Sequence, residues 1–286
     1  MARDDEFDDP RRDYDEQFDR PLRKKKSGTG LIIGLLVGAF VLCCGGGGAA
    51  IYFFVRGVKK GVAQVQEAVQ EAQDVQQSQN NLRQIGVAAH EYEANGGSFP
   101  NNSYAADGKQ SRPLLSWRVH LLPYVNQQAL YNQFKLDEPW DSPNNKPLLD
   151  RMPEVYATQE ARKRAGAGRT YYRGFSHPGA IFEKPQAPGA PVPKISIPMV
   201  TDGVSNTVLV VEAGEPVEWT KPDDIDWSPG RPRPALGYSG QIRPTFLALM
   251  ADGQVKQLRK DLPDETLRLL ITRNDGQKIP LGWDNP

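Results

Sequence analysis

The stretch GLIIGLLVGAFVLCCGGGGAAIYFFV, Gly30 to Val55, decides the reading, because no charged residue stands between Lys26 and Arg56. As a helix it would reach about 39 Å at 1.5 Å per residue, enough to cross the ~30 Å hydrocarbon core of a bilayer. A cleaved signal peptide has a shorter apolar core and a shorter basic lead. The span therefore reads as a retained transmembrane helix. Gly45 to Gly48 are poor helix formers and mark a point of kinking or thinning. Gly30, Gly34 and Gly38 recur every four residues, a smooth face on which a second copy could pack. Cys43 and Cys44 lie inside the span, so the rest of the chain has no disulfide framework and no cysteine-based zinc site.

Outward to the N-terminus, residues 1–29 alternate acidic and basic blocks with almost no aliphatic side chains. Such a segment cannot bury enough apolar surface to offset its ordering entropy and is expected to be disordered. It ends in Arg20, Arg23, Lys24, Lys25 and Lys26, against Arg56, Lys59 and Lys60 beyond the span. The positive-inside rule then puts the tail in the cytoplasm and everything after Arg56 outside it.

Outward to the C-terminus, Val58, Val62, Val65, Val69 and Ala72 recur at spacings of four, three, four and three. This apolar stripe predicts a helix, running on through Leu82, Ile85 and Tyr92 to the stop signal Asn95-Gly96-Gly97. The stripe is expected to pack against the chain's own domain, since two clean heptads are too few to claim a coiled coil. The organisation is thus a tail at 1–29, a transmembrane helix at 30–55, a juxtamembrane helix at 56–97 and an α+β domain at 98–286.

In that domain, strands are expected at Trp117–Leu122, Thr170–Phe175 and Thr207–Ala213, the last apolar enough to be central. A short helix is expected at Asn126–Phe134 and Pro-stiffened loops at Asp137–Pro147 and Pro185–Pro193. In TFLALMADGQVKQL, Thr245 to Leu258, Asp252-Gly253 between apolar runs signals a hairpin. A last helix should start near Asp264. With 27 glycines and 24 prolines the chain is too rich in turn residues for a helical bundle. Lys plus Arg and Asp plus Glu balance at 35 each, which argues against a nucleic-acid partner.

The runs NLRQIGVAAHEYEANGGSFP (Asn81–Pro100), LSWRVHLLPYVNQQALYNQFKLDEPWDSPNNKPLL (Leu115–Leu149), VTDGVSNTVLVVEA (Val200–Ala213), VEWTKPDD (Val217–Asp224) and MADGQVKQL (Met250–Leu258) carry a resemblance. Over residues 80–276 the chain resembles the bacterial family called domain of unknown function 1559, abundant in planctomycetes and associated with a prepilin-type His-(nine residues)-Asp-Gly motif. The resemblance implies a pseudopilin-like architecture, a long helix leading into a small antiparallel sheet, and implies no catalytic residues. Two positions depart from the pattern. Asp252-Gly253 match the motif, but Ile242 stands where its histidine would be, and Leu35 stands where prepilin processing wants a glutamate. A fixed anchor is therefore favoured over a processed pilin subunit.

His90, His120 and His177 each lack a second ligand at metal-site spacing, and GYSGQ, Gly237–Gln241, lacks the spacing of a nucleophile elbow. No catalytic, cofactor or metal residue is assigned, and an enzyme is not expected. Two acidic loops, Asp137, Glu138 and Asp141, and Asp223, Asp224 and Asp226, have the oxygens a calcium ion takes. Solvated loop acids are the ordinary reading, and the choice stays open here.

The expected function is that of a single-pass membrane protein with an extracytoplasmic structural or interaction domain. Trp117, Trp140, Trp219 and Trp227 would face an envelope protein or polymer. The alternative is a ligand-binding or sensory module that signals through the span. A sensor should have a pocket with convergent polar groups, a scaffold an exposed apolar or aromatic patch.

Overall fold

The computed structural model describes residues 48–106, 111–187, 189–238 and 243–284, with side chains from Val55 onward except at 106 and 111. They belong to two compact units, Met1–Gln66 and Glu67–Pro286. The tail at 1–29, most of the predicted span and Gly30, Gly34, Gly38, Leu35, Cys43 and Cys44 lie outside the described residues. Among those residues, no helix is long and apolar enough to cross a membrane.

Helix α1 runs from Gly48 to Gly96. Its stop is the predicted one: the Gly97 N–H donates to the Glu93 carbonyl at 2.6 Å, and Gly97 takes φ +69, a conformation that glycine adopts at little cost. In the first unit, α1 presents Val55, Val58, Val62 and Val65 to solvent, at 41%, 41%, 51% and 64% exposure. Val69 of the same stripe, in the second unit, is 51% exposed, so the expectation that the stripe packs on the chain's own domain fails at that position.

In the second unit, α1 is followed by the hairpin β1 (Tyr104–Ala106) and β2 (Ser111–Pro113), then by three short helices. These are α2 (Trp117–His120), α3 (Gln128–Tyr131) and α4 (Gln159–Ala165). Strands β3 (Arg169–Arg173), β4 (Val208–Glu218), β5 (Thr245–Met250) and β6 (Val255–Arg259) form one antiparallel sheet in that order. Helix α5 (Asp264–Ile271) closes the fold. The chain is thus α+β, a long helix leading into antiparallel sheets.

Strand β5 shows why the sheet sequence is apolar without alternation. Leu247 and Leu249 join the core cluster that contains Leu82, Ile85, Ala88 and Ala89 of α1. Phe246, Ala248 and Met250 join the opposite cluster with Leu267, Leu270 and Ile271 of α5. Side chains alternate between faces, and with both faces covered every position is buried. Strand β4 is central as expected, flanked by β3 and β5, and runs on to Glu218.

The segment Trp117–Leu122 is helical, not a strand. Ser116 caps α2 by accepting the Arg118 N–H at 3.3 Å, and a 3-10 turn from Leu122 to Val125 follows with Pro123 in its first turn. Trp117, Arg118, Val119, Leu121 and Leu122 are all buried, and in so short an element a helix buried on most of its sides cannot be told from a strand by period. The predicted helix at Asn126–Phe134 contracts to α3 for a related reason: Asn126 takes φ 59 and restarts the chain. The loop Asp137–Pro147 is held by Asn145, whose Nδ2 donates to the carbonyls of Lys135, Glu138 and Pro139 at 2.9, 3.2 and 3.0 Å.

Candidate functional site

Helix α1 is fastened to the sheet by polar groups as well as by Leu82 and Ile85. Glu212, fully buried in the middle of β4, accepts from Ser78 Oγ at 2.6 Å through Oε1. Its Oε2 accepts from Arg243 Nη2 at 2.6 Å and from the Leu247 N–H at 2.9 Å. The hydroxyls of Tyr172 and Tyr238 lie 2.8 and 3.3 Å from Ser78 Oγ, and burial beside Glu212 raises both phenols above their ordinary pKa. One turn earlier Asp74 accepts from Thr158 Oγ1, the residue that caps α4. Desolvation raises the Asp74 pKa, and the bond from Thr158 and the charge of Arg243 pull it back. A buried charge is tolerated only when paired and hydrogen-bonded, which Glu212 is on both oxygens.

A second buried pair lies in the segment that carries the family resemblance. Arg118 donates through Nε to the Tyr172 carbonyl at 3.0 Å and through Nη1 to Ser116 Oγ at 2.6 Å. Its guanidinium lies 4.5 Å from the Trp117 ring centroid and 3.6 Å from Asp224 Oδ1. Asp224 accepts from Asn102 Nδ2 at 2.7 Å, Trp117 Nε1 at 3.2 Å and the Gly174 N–H at 3.0 Å. Desolvation lowers the Arg118 pKa to about 10 even with Asp224 beside it.

This geometry takes the second acidic loop apart. Asp224 is a core carboxylate, Asp223 pairs with Arg173 and Lys221 at 3.1 and 3.0 Å, and Asp226 binds Ser228 Oγ at 2.6 Å. In the first loop Glu138 accepts from Asn144 Nδ2 at 2.8 Å. Among the described residues no group of three or more His, Cys, Asp or Glu is placed to hold a metal ion.

The three histidines are also dispersed. His90 packs edge-on to Phe99, with ring centroids 5.8 Å apart, and 3.6 Å from where a Cβ on Gly253 would lie. Gly253 has φ +85 in the predicted hairpin turn, closed by its N–H to the Met250 carbonyl at 3.0 Å, while Asp252 Oδ1 accepts from the Gln254 N–H at 2.9 Å. That turn sits against α1 at Gly86, where an added Cβ would come within 3.0 Å of Leu249 Cδ1. The Asp-Gly turn thus seats the hairpin on the helix. Desolvation pushes His120 down to about 4, and His177 downward as well, with His177 Nδ1 donating to the Pro178 carbonyl at 2.7 Å.

Of the four tryptophans expected at a surface, Trp117, Trp219 and Trp227 are buried, because their large apolar rings fill the core. Only Trp140 remains partly exposed, with the Lys221 ammonium 5.8 Å from its ring centroid.

What faces solvent is the ridge of α1. At Val69 and Ala72 the ridge is flanked by two shallow grooves, one on each side. One is lined by Ala68, Glu71, Ala72, Val75, Arg243 and Pro244, the other by Val69, Ala72, Gln73, Gln76, Gln77 and Asn80. Their exposed walls are mainly alkyl surface, with Glu71 and Arg243 at the first and four side-chain amides at the second. Ser78, Glu212 and Asn145, which position these parts, are not legible from spacing, since each is a single polar residue among ordinary neighbours. The only signal available is that an acid inside the apolar run TVLVVEA needs a buried partner.

No curated protein and no solved structure matches the chain. A family model described as a protein of unknown function (DUF1559) matches residues 75–242. The match opens at the part of α1 that docks on the sheet, takes in the Arg118–Asp224 pair and Glu212, and ends one residue before Arg243. It stops short of β5, so the Asp252-Gly253 hairpin lies beyond it. Matched over more than half its length, the chain belongs to the DUF1559 family.

Proposed function

We propose that this protein is a membrane-anchored, non-enzymatic structural or interaction module with pseudopilin-like architecture, its folded domain outside the cytoplasm. The observation that carries the reading is the exposed valine ridge of α1, which directly follows the apolar stretch Gly30–Val55. A long helix leading into an antiparallel sheet is the arrangement that the family resemblance implies for pseudopilins. The open, alkyl-lined grooves suit an interaction surface better than a pocket for a small polar ligand. The buried charges Glu212 with Arg243 and Asp224 with Arg118 are occupied with one another, which supports a structural use of them.

Reporter fusions after Lys60 test the anchor and its direction. A periplasmic reporter should be active and a cytoplasmic one silent, with the chain recovered in the membrane fraction. Recovery in the soluble fraction would remove the anchor, and cytoplasmic reporter activity would invert it.

A further inference from the structure

The two apolar stripes of α1 lie on opposite faces of the helix. At 100° per residue, Val58, Val62, Val65, Val69 and Ala72 centre roughly 180° away from Asp74, Ser78, Asn81, Leu82 and Ile85. The second set is buried in the chain's own fold and the first is exposed. The ridge side chains are thus open to a partner.

The ridge has the pattern of a short coiled-coil seam. Val55, Val62 and Val69 occupy successive a positions, and Val58, Val65 and Ala72 successive d positions. Charges fall at b (Arg56), c (Glu71) and f (Lys60, Glu67), away from the seam. The e and g positions from Gly61 to Gln73 are Gly61, Gln66, Ala68 and Gln73, and Lys59 is the one charge beside the seam. In a parallel pair each a meets its own a and each d its own d, so an uncharged valine ridge is complementary to itself, and no like charges are forced together. The grooves on either side of Val69 and Ala72 provide recesses for the knobs of a facing helix.

We infer that the ridge Val55–Ala72 is covered by the same ridge of a second copy of this chain, in parallel and in register. The inference rests on the anchored reading above. Fewer than three heptads are marginal for association in solution, and two chains leaving one membrane side by side gain the effective concentration that such a short seam needs. The shared membrane also sets the parallel direction. An antiparallel pair would match the basic end (Arg56, Lys59, Lys60) with the acidic end (Glu67, Glu71), but two chains anchored in one bilayer cannot reach it.

The test is disulfide crosslinking of the full chain in native membranes, in a Cys43→Ser, Cys44→Ser background. Single cysteines replace Val62, Val65 or Val69 on the ridge, and Lys60, Glu67 or Gln70 off it. Ridge positions should give several-fold more crosslinked dimer than the others, and Val62→Glu should abolish the Val69→Cys crosslink. Equal yields at all positions, or no dimer at any, would overturn the pairing. Mixed crosslinks between Val58→Cys and Ala72→Cys chains without same-site crosslinks would overturn the parallel register. Fractionation of the same cells separates the two readings: a membrane-bound chain without periodic crosslinks sinks the pairing alone. A soluble chain sinks the anchor and, with it, this account of the seam.

Discussion

Two lengths of one helix behave in opposite ways. From Asp74 to Ala89, α1 buries Ser78, Leu82, Ile85, Ala88 and Ala89, whereas from Val55 to Val69 it exposes an equally periodic row of valines. Both segments satisfy the same test for an amphipathic helix. They differ in their surroundings: the first packs on β5 and the Glu212 cluster, whereas the valines of the second are open to solvent. Amphipathicity thus states that a face needs covering and does not state by what.

The largest effect should come from removing the acid that receives the inner segment. Glu212→Ala leaves Arg243 buried without its carboxylate and Ser78 Oγ and the Leu247 N–H without their acceptor. Breaking a buried pair from one side typically costs about 3–5 kcal/mol, so denaturant unfolding of the purified chain should shift by that order. A loss under about 1 kcal/mol would mean that the polar seam does not hold α1. Next comes Ile85→Ala, which empties a fully buried site between helix and sheet and should cost about 2–4 kcal/mol in the same experiment.

Acid sharpens the comparison at a smaller scale. The folded-state pKa of His120 is lowered to about 4, so between its ordinary value and 4 the unfolded chain binds the proton first. Stability should therefore be full above about pH 6.5 and decline toward pH 4, by roughly 1–2 kcal/mol at pH 5 from this residue. The lowered pKa of His177 acts in the same direction, while the raised pKa of Asp74 opposes both, since its protonation relieves a desolvated charge. His120→Gln should flatten the decline measured by thermal melting across that range. An unchanged pH profile would show that His120 is solvated. The smallest effect belongs to the outer segment: Val62→Ser with Val65→Ser should change the unfolding free energy of the dispersed protein by less than about 0.5 kcal/mol, as exposed sites do. A larger loss would mean that the ridge already has a partner within the chain.

Much of the fold is readable in the residues themselves. The helix end at Asn95-Gly96-Gly97, the central strand TVLVVEA, the Asp252-Gly253 hairpin and the helix from Asp264 follow from local chemistry, because glycine geometry and β-branched runs act over a few residues. Trp117–Leu122 is misread as a strand because its cap, Ser116, and burial on most of its sides outweigh period in a segment of one turn. The acidic loop at Asp223–Asp226 looks like one cluster in the sequence and proves to be three separate carboxylates, since adjacent side chains leave the backbone in different directions and find different partners.

By itself the sequence determined the α+β class, the long helix and its end, the central strand, the last hairpin and the apolar stretch Gly30–Val55, for these depend on composition and on the periods 3.6 and 2. Only the tertiary structure decided which stripe is core and which is surface, that three of the four expected surface tryptophans are interior, and that Ser78, Glu212 and Arg243 meet across 165 residues of chain. Those outcomes depend on which face of one element lies against another. That is a property of packing between distant segments, and no local pattern encodes it.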